Sequence, residues 1–471
     1  MAARLPTPVA VETGGGMYES EARIHPREID GRFQRLRTLA VFWLLGMFYL
    51  FPWLTWDGRQ AVLFDLPARK FFVFGLSFWP QDFIYLALLM MMAAFSLFFF
   101  TAIAGRLWCG YACPQTVWTE VFLWLQRITE GRRNQRIKLD AAPMSWDKFR
   151  RKFAKQFLWI TFALWTGFTF VGFFTPIRTL ASEAIAFRMG PWETFWTFFY
   201  AFATYGNAGY LREQVCKYMC PYARFQGAMF DRNTLVISYD EARGEPRGSR
   251  KRSVPSVLAL AAGAERTVGD CIDCKACVHV CPTGIDIRNG LQYECIACGA
   301  CVDACDEVMD KMSYPRGLVR YTTQNAVEGK PSRILRPRVL VYGGILVALL
   351  TGFTWSVTHR VPLIVDVLRD RNALYRLAAD GSVENGYTLK LINKRDAQTR
   401  YRIEVEGAPA LALAGAPIET SVAAGEVGNV AVTLRAAAGA LRGKSEVVFA
   451  VVGADDATIR YRQKSSFFAP Q

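Results

Sequence analysis

Five windows of roughly twenty mainly apolar residues, near 38–56, 83–104, 157–175, 192–211 and 339–357, constrain this chain more than anything else in it. Each is long enough to cross a bilayer as a helix. In lipid, helices and closed barrels are the forms that satisfy their own backbone polar groups. The fold expected is therefore an α-helical membrane protein with five transmembrane helices. Lys and Arg divide unevenly around the windows: 6 before the first, 11 in the 105–156 loop and 19 in the 212–338 segment, against 3 in 57–82 and 2 in 176–191. Basic loops stay on the cytoplasmic side. The amino terminus and the 212–338 segment are thus expected inside, and the chain beyond 357 outside. The formal charge of +15 is then a topology signal and implies no nucleic acid. The first 37 residues, with Gly14-Gly15-Gly16 and scattered charge, read as a flexible cytoplasmic tail. They lack the signal-peptide pattern, because the apolar run starts late and no cleavage site follows it.

Residues 271–305 hold the chemistry. They read C-I-D-C-K-A-C-V-H-V-C-P and, after a spacer of 12 residues, C-I-A-C-G-A-C-V-D-A-C. Both halves follow C-x2-C-x2-C-x3-C, in which three thiolates wrap one 4Fe-4S cluster and the fourth serves its neighbour. Cys271, Cys274, Cys277 and Cys305 are assigned to one cluster, and Cys295, Cys298, Cys301 and Cys281 to the other. The module is expected to be a two-cluster ferredoxin-like α+β unit within about 265–312. Zinc ribbons would place four ligands in two separated knuckles, not three close cysteines plus a distant one. A disulfide framework conflicts with a reducing compartment. Pro282 follows Cys281, whereas Asp306 follows Cys305, a difference that bears on the potential of the cluster fed by Cys305 without a sign that the residues reveal.

The other four cysteines form an internal repeat. After the second window comes Arg106-Leu107-Trp108-Cys109-Gly110-Tyr111-Ala112-Cys113-Pro114, and after the fourth Arg212-Glu213-Gln214-Val215-Cys216-Lys217-Tyr218-Met219-Cys220-Pro221. Both contain C-x-Y-x-C-P below a basic residue, at the cytoplasmic end of a span. In a helix, cysteines at i and i+4 share a face. Alternatively, proline suits the first helical position, which puts Cys113 and Cys220 at N-caps, where the helix dipole and Arg106, Arg212 or Lys217 favour thiolate. Thiolates suit Cu(I), zinc or a further iron-sulfur cluster, whereas packing alone would use cysteine as a small apolar residue. A redox or metal role is preferred because all twelve cysteines fall in ordered motifs. Copper and another cluster stay open at this point.

Other features weigh less. Val117, Val121, Trp124, Leu125 and Ile128 recur at helical spacing, as a membrane-surface helix or as ordinary packing. Met90-Met91-Met92 point in different directions around a helix, so lipid contact explains them better than copper does. Only His25, His279 and His359 exist, none within a window, which excludes a bis-histidine haem in the bilayer. His279 is expected to pack or hydrogen-bond beside the clusters, and a copper role for His359 is speculative. Arg243, Arg247, Arg250, Lys251 and Arg252 among Gly, Pro and Ser read as a loop near anionic headgroups; Val254 to Ala262 is too short to span. Beyond 359, alternation at 387–392, 401–406, 427–434 and 445–451, with turn residues between, predicts a cysteine-free β-sandwich. It is either a scaffold or a docking surface for partners.

The domains expected are a tail (1–37), a four-helix membrane domain with two C-x3-C-P hairpins (38–211), a cytoplasmic ferredoxin segment (212–338), a fifth span (339–357) and an outer β domain (358–471). Paired C-x3-C-P phrases, an eight-cysteine ferredoxin, a fifth span and a β-rich tail in this order resemble the CcoG, FixG or RdxA family of cytochrome c oxidase accessory proteins, over essentially the whole chain. The hairpins also look like those of the NapH and NosR membrane ferredoxins. The family resemblance implies a bacterial inner-membrane location, an immunoglobulin-like periplasmic domain, and reduction of Cu(II) to Cu(I) during assembly of a cbb3-type oxidase. Cys109, Cys113, Cys216 and Cys220 would then be the catalytic, copper-holding residues. The implied partners are membrane lipid and periplasmic copper chaperones or oxidase subunits; the electron donor stays unidentified and a homo-oligomer is left open. Other readings are an electron relay between a quinol or soluble donor and a respiratory enzyme without copper, and an assembly scaffold. No glycine-rich dinucleotide fingerprint is present.

Overall fold

The computed structural model describes residues 24–249, 268–370, 373–395, 397–407, 410–415 and 418–470, and the chain divides into two compact units. The expectations for residues 1–23, for Arg250, Lys251 and Arg252 and for Val254 to Ala262 lie outside the described residues. The first unit comprises residues up to Leu63 and Ala93–Gly344. Its helices are α1 (Arg32–Leu50), the end of α2 (Phe83–Ala104), the one-turn α3 (Leu107–Tyr111), α4 (Pro114–Glu130), α5 (Arg133–Ala141), α6 (Trp146–Val171), α7 (Ile177–Ile185), α8 (Pro191–Thr204) and α9 (Pro221–Gly227). By length and composition, Arg32–Trp53, Pro80–Ala104 and Pro337–Thr358 are apolar enough to cross a membrane. The remaining two windows coincide with α6 and with α8 continued by the π-helical turn Tyr205–Leu211. These fall short of the same measure because α6 opens on a run of charges from Asp147 to Lys155 and α8 is only 14 residues long. Both nonetheless turn large apolar side chains outward: Phe157, Ile160 and Trp165 on α6, and Phe195, Phe198 and Phe202 on α8.

Local chemistry sets these boundaries. Ser145 caps α6, its Oγ accepting the N–H of Lys148 at 3.2 Å. Gly131 ends α4 at φ +86°, a left-handed value that glycine adopts without a Cβ clash. Helices α6 and α8 approach closely at Gly167, where a Cβ would stand 2.2 Å from the Thr197 carbonyl oxygen. Phe122, Trp159, Ala163, Ala201 and Ala208 fill the core between them and α4. The helix read from the spacing at 115–128 is realised as α4. It packs Thr116, Val117 and Phe122 inward and leaves Trp124 and Ile128 exposed.

The cysteine-rich segment folds against these helices around α11 (Ala276–His279) and α12 (Ala300–Met312), after the short α10 (Glu241–Gly244). It is closed by an antiparallel pair, Val236–Tyr239 with Val319–Thr322, in register Val236↔Thr322. Arg243, expected near headgroups, is instead buried: it pairs with Asp270 at 2.7 Å and donates to the Arg316 carbonyl at 3.1 Å. Its charge has a partner inside the module, so it is not left to lipid. Residues 24–37 also differ from the tail reading. Arg27 N–H donates to the His279 carbonyl at 2.7 Å, Ile29 packs on the cysteine-rich core, and helix α1 already begins at Arg32.

The second unit comprises Phe64–Met92 and Ile345–Gln471. Its sandwich has one antiparallel sheet of strands 411–413, 427–436, 383–393 and 363–369, and a second of 418–422, 399–407, 444–453 and 460–468, each in that spatial order. The alternation read from the sequence is the alternation of burial: Tyr387, Leu389 and Leu391 face inward while Thr388 and Lys390 are exposed. Tyr401, Phe449, Phe467 and Leu434 from the two sheets meet in the core. Within this unit Lys394 Nζ pairs with both carboxylate oxygens of Asp82, at 2.6 and 2.9 Å.

Candidate metal centres

The eight cysteines of 271–305 separate into the two sets that their spacing predicts. Cys271, Cys274, Cys277 and Cys305 line one cavity with Tyr239 and Arg288, and Cys281, Cys295, Cys298 and Cys301 line the next with Thr283 and Ile285; Cys277 borders both. The exchange of fourth ligands is visible in the electrostatics. Among the cysteines, Cys305 is raised by the charges of Cys277 and Cys271, and Cys301 most by those of Cys298, Cys295 and Cys281.

The backbone explains how so short a loop does this. Asp273 and Lys275 in the first run, and Ala297 and Gly299 in the second, all have φ between +52° and +78°. They stand at equivalent places, two and four residues after the first cysteine. Left-handed residues alternating with ordinary ones turn successive N–H groups into a concavity suited to anions. The N–H of Ala297 is accordingly directed at Cys295 sulfur, and that of Ala300 at Cys298.

Burial pushes the Cys277, Cys295 and Cys305 thiols up to about 12, and Cys301 well above its ordinary value. These sulfurs therefore give up protons when a metal centre is loaded. Among the described residues, no carboxylate or imidazole lines either cavity. A purely sulfur donor set in an apolar shell fits a 4Fe-4S cluster. Asp306 Oδ1 accepts the Gly317 N–H at 2.9 Å, and its charge pushes Cys305 up further after burial and Cys277. The carboxylate thus disfavours added negative charge on that set.

The four remaining cysteines are brought together as the repeat predicts. Cys109 lies on α3, Cys113 is the N-cap of α4, Cys216 sits in the π-helical turn Val215–Met219, and Cys220 is the N-cap of α9. The N-cap geometry is the one adopted, with Pro114 and Pro221 in the first helical position. Cys109 feels the charges of Cys113, Cys216 and Cys220, and burial lifts Cys109 and Cys216 to about 12. Burial raises Cys113 too, against the pull of the Gln115 and Thr116 N–H groups.

Residues that sequence reasoning did not single out hold this set in place. Cys109 Sγ donates to Gln226 Oε1 at 3.3 Å; Gln226 is fully buried and donates onward to Thr101 and Tyr222. Thr116 Oγ1 donates to the Cys109 carbonyl at 2.6 Å. The signal that could have found Gln226 is its place about one and a half helical turns beyond the second C-P, where it faces back toward the cysteines.

The two kinds of centre adjoin. A Cβ on Gly110 would stand 2.8 Å from the Ala297 oxygen and 2.9 Å from that of Ile296, so glycine is required where α3 rests on the second cysteine loop. Cys216 borders a cleft shared with Pro282, Thr283 and Ile296. The set of Cys281, Cys295, Cys298 and Cys301 is thus the proximal one. The other leads outward to Cys274, which is exposed. His279 has an exposed side chain and uses its backbone carbonyl. His359 stacks on Trp355 with its ring turned to its own helix.

Three comparisons with known proteins bear on these centres. Residues 211–324 match the 4Fe-4S dicluster domain, 83–132 a 4Fe-4S binding domain, and 353–470 the IG-like fold at the C-terminal of FixG. The chain is 41% identical to the nitrogen fixation protein FixG of Rhizobium meliloti, over 85% of this chain and 82% of that protein. It is 40% identical to protein RdxB of Cereibacter sphaeroides over 85% and 86% of the two chains, and 37% identical to protein RdxA of the same organism over 90% and 91%.

Proposed function

Because the chain belongs to the FixG and RdxA family, we propose that this membrane iron-sulfur redox protein delivers single electrons to Cu(II), yielding Cu(I) for the copper site of a cbb3-type oxidase. The observation that carries the reading is the contact of the four-cysteine set with the proximal ferredoxin loop, through Gly110 and the cleft at Cys216. Cys271, Cys274, Cys277 and Cys305, and Cys281, Cys295, Cys298 and Cys301, are the residues that hold the two clusters. Bound 4Fe-4S clusters supply one-electron redox chemistry. Copper is substrate: it accepts one electron and no bond to carbon or oxygen is made. Soft thiolates favour Cu(I) over Cu(II), so binding at Cys109, Cys113, Cys216 and Cys220 itself favours the reduced ion.

We place the protein in the bacterial inner membrane with five spans, the ferredoxin module cytoplasmic and the immunoglobulin-like unit periplasmic, where a copper chaperone or oxidase subunit would dock. Support comes from the Lys and Arg asymmetry of the loops and from the outward aromatic faces of α6 and α8. The test replaces all four C-x3-C-P cysteines with serine in the full chain, purified without oxygen. Cu(II) reduction, followed with a Cu(I)-specific chelator, is expected to disappear while the iron of the 271–305 module is retained. Undiminished reduction overturns the copper role.

A second reading is favoured by the match of 83–132 to a 4Fe-4S binding domain: the four cysteines hold a further cluster and the chain relays electrons without copper. Iron lost together with the four cysteines, and no copper reduction by the parent protein, would select it.

A further inference from the structure

Arg106 opens the first C-x3-C-P phrase and is buried, 4% exposed. Its guanidinium donates to the Tyr293 and Cys295 carbonyls, the latter at 3.2 Å, and through its other terminal nitrogen to the Ala223 carbonyl. One side chain therefore ties together three segments: the first phrase, the helix that follows the second phrase, and the loop carrying the first ligand of the proximal set. Several other buried arginines of this unit have carboxylates: Arg37 has Glu120, Arg136 has Glu28, Arg243 has Asp270, and Arg288 has Asp273 and Asp286. Arg106 is bonded to neutral carbonyls, and among the described residues no carboxylate pairs with it. A buried cation is unfavourable unless negative charge compensates it. Ionisable groups whose charged form Arg106 favours include sulfurs on either side, Cys109 and Cys216 in one set and Cys295 in the other, and the Tyr222 hydroxyl.

We propose that Arg106 is a positioning residue for electron transfer: it fixes the proximal cysteine loop against both C-x3-C-P phrases and supplies the positive charge that raises the reduction potential of the proximal centre. The sign follows from Coulomb's law. A reduced centre is one charge more negative, so a nearby fixed cation stabilises it over the oxidised form. Among the described residues the distal set makes no hydrogen bond to Arg106 and should be little affected. The inference rests on the ferredoxin cysteines holding clusters and is independent of copper.

The experiment is a potentiometric titration of the full-length parent, R106Q and R106K proteins in detergent without oxygen, read by electron paramagnetic resonance, with iron measured alongside. The Gln variant is expected to weaken the reduction equilibrium of one cluster signal about tenfold, about 59 mV for a one-electron couple, leaving the other signal in place. The Lys variant should keep the parent value. Unchanged signals, an equal fall of both, or a Lys variant as low as Gln would overturn the proposal. If R106Q does not retain iron, G110A decides instead. It keeps the cation but forces α3 off residues 296–297, so the same single signal should fall, and no change overturns the proposal. Absence of copper reduction in the parent leaves this test intact, so the two failures are distinguishable.

Discussion

Glu130 shows how costly a single charge is in this fold. It is 1% exposed at the end of α4, with Lys152 Nζ at 2.9 Å and Lys155 Nζ at 3.0 Å from one carboxylate oxygen, and Gln126 donating to the other at 2.6 Å. Lys155 lies in turn over the Trp159 ring at 4.9 Å. Burial pushes the Glu130 carboxyl up, but hydrogen bonds from Gln126, Lys152 and Lys155 outweigh it and hold the group down at about 2. A depressed folded value stabilises the native state fully above the ordinary glutamate range of about 4.3 and loses that effect as pH falls toward 2. Replacing Glu130 with Gln leaves Lys155 buried beside a neutral group, which is expected to cost about 3 kcal/mol. Chemical unfolding of the detergent-solubilised variant at neutral pH measures this, and the deficit should shrink as the parent protein is acidified.

Among the elements, the junction of α1 and α12 matters most for the site. Gly31 has no side chain with which to cap α1. The cap comes from another helix: Asp303 of α12 accepts the Phe33 N–H at 3.2 Å and the Gln34 N–H at 2.8 Å. The same contact fixes the cysteine module to the apolar helix α1, helped by the tilted stacking of Phe33 on Tyr321, whose hydroxyl donates to the Ala297 carbonyl at 2.6 Å. Asp303→Ala should remove about 1 kcal/mol of capping. Faster hydrogen exchange confined to residues 32–38, with cluster content unchanged, is the expected result. Glycine also works at the element scale here. Gly299, at φ +78°, begins α12 against the Phe33 ring, so an added Cβ would meet both strain and a clash.

At the scale of the whole molecule, the apolar cores belong to one unit or the other: the cysteine-loop core and the core among α4, α6 and α8 to the first, the core of facing strands to the second. In the second unit the Lys394–Asp82 pair links the sandwich to the segment before α2, with both side chains almost fully buried. Asp82 also accepts the Trp79 N–H at 3.1 Å. Asp82→Asn would leave Lys394 with no anion, a loss of about 3 kcal/mol in local attachment. Limited proteolysis should then cut the 64–82 segment more readily while the sandwich itself resists, held by its own facing-strand core.

The sequence by itself determined the grouping of the cysteines, the repeat and the strand pattern. Each is a short-range consequence of spacing: left-handed turns every second residue in the cysteine loops, proline at a helix start, alternation along a pleat. Only the tertiary structure decided which cysteine set stands next to the C-x3-C-P centre, that Arg243 is an internal ion pair and not a headgroup contact, and that Arg106 has carbonyls in place of a carboxylate. Those facts depend on residues from 27 to 189 positions apart in the chain meeting in space, and no local period records which distant segment will be there.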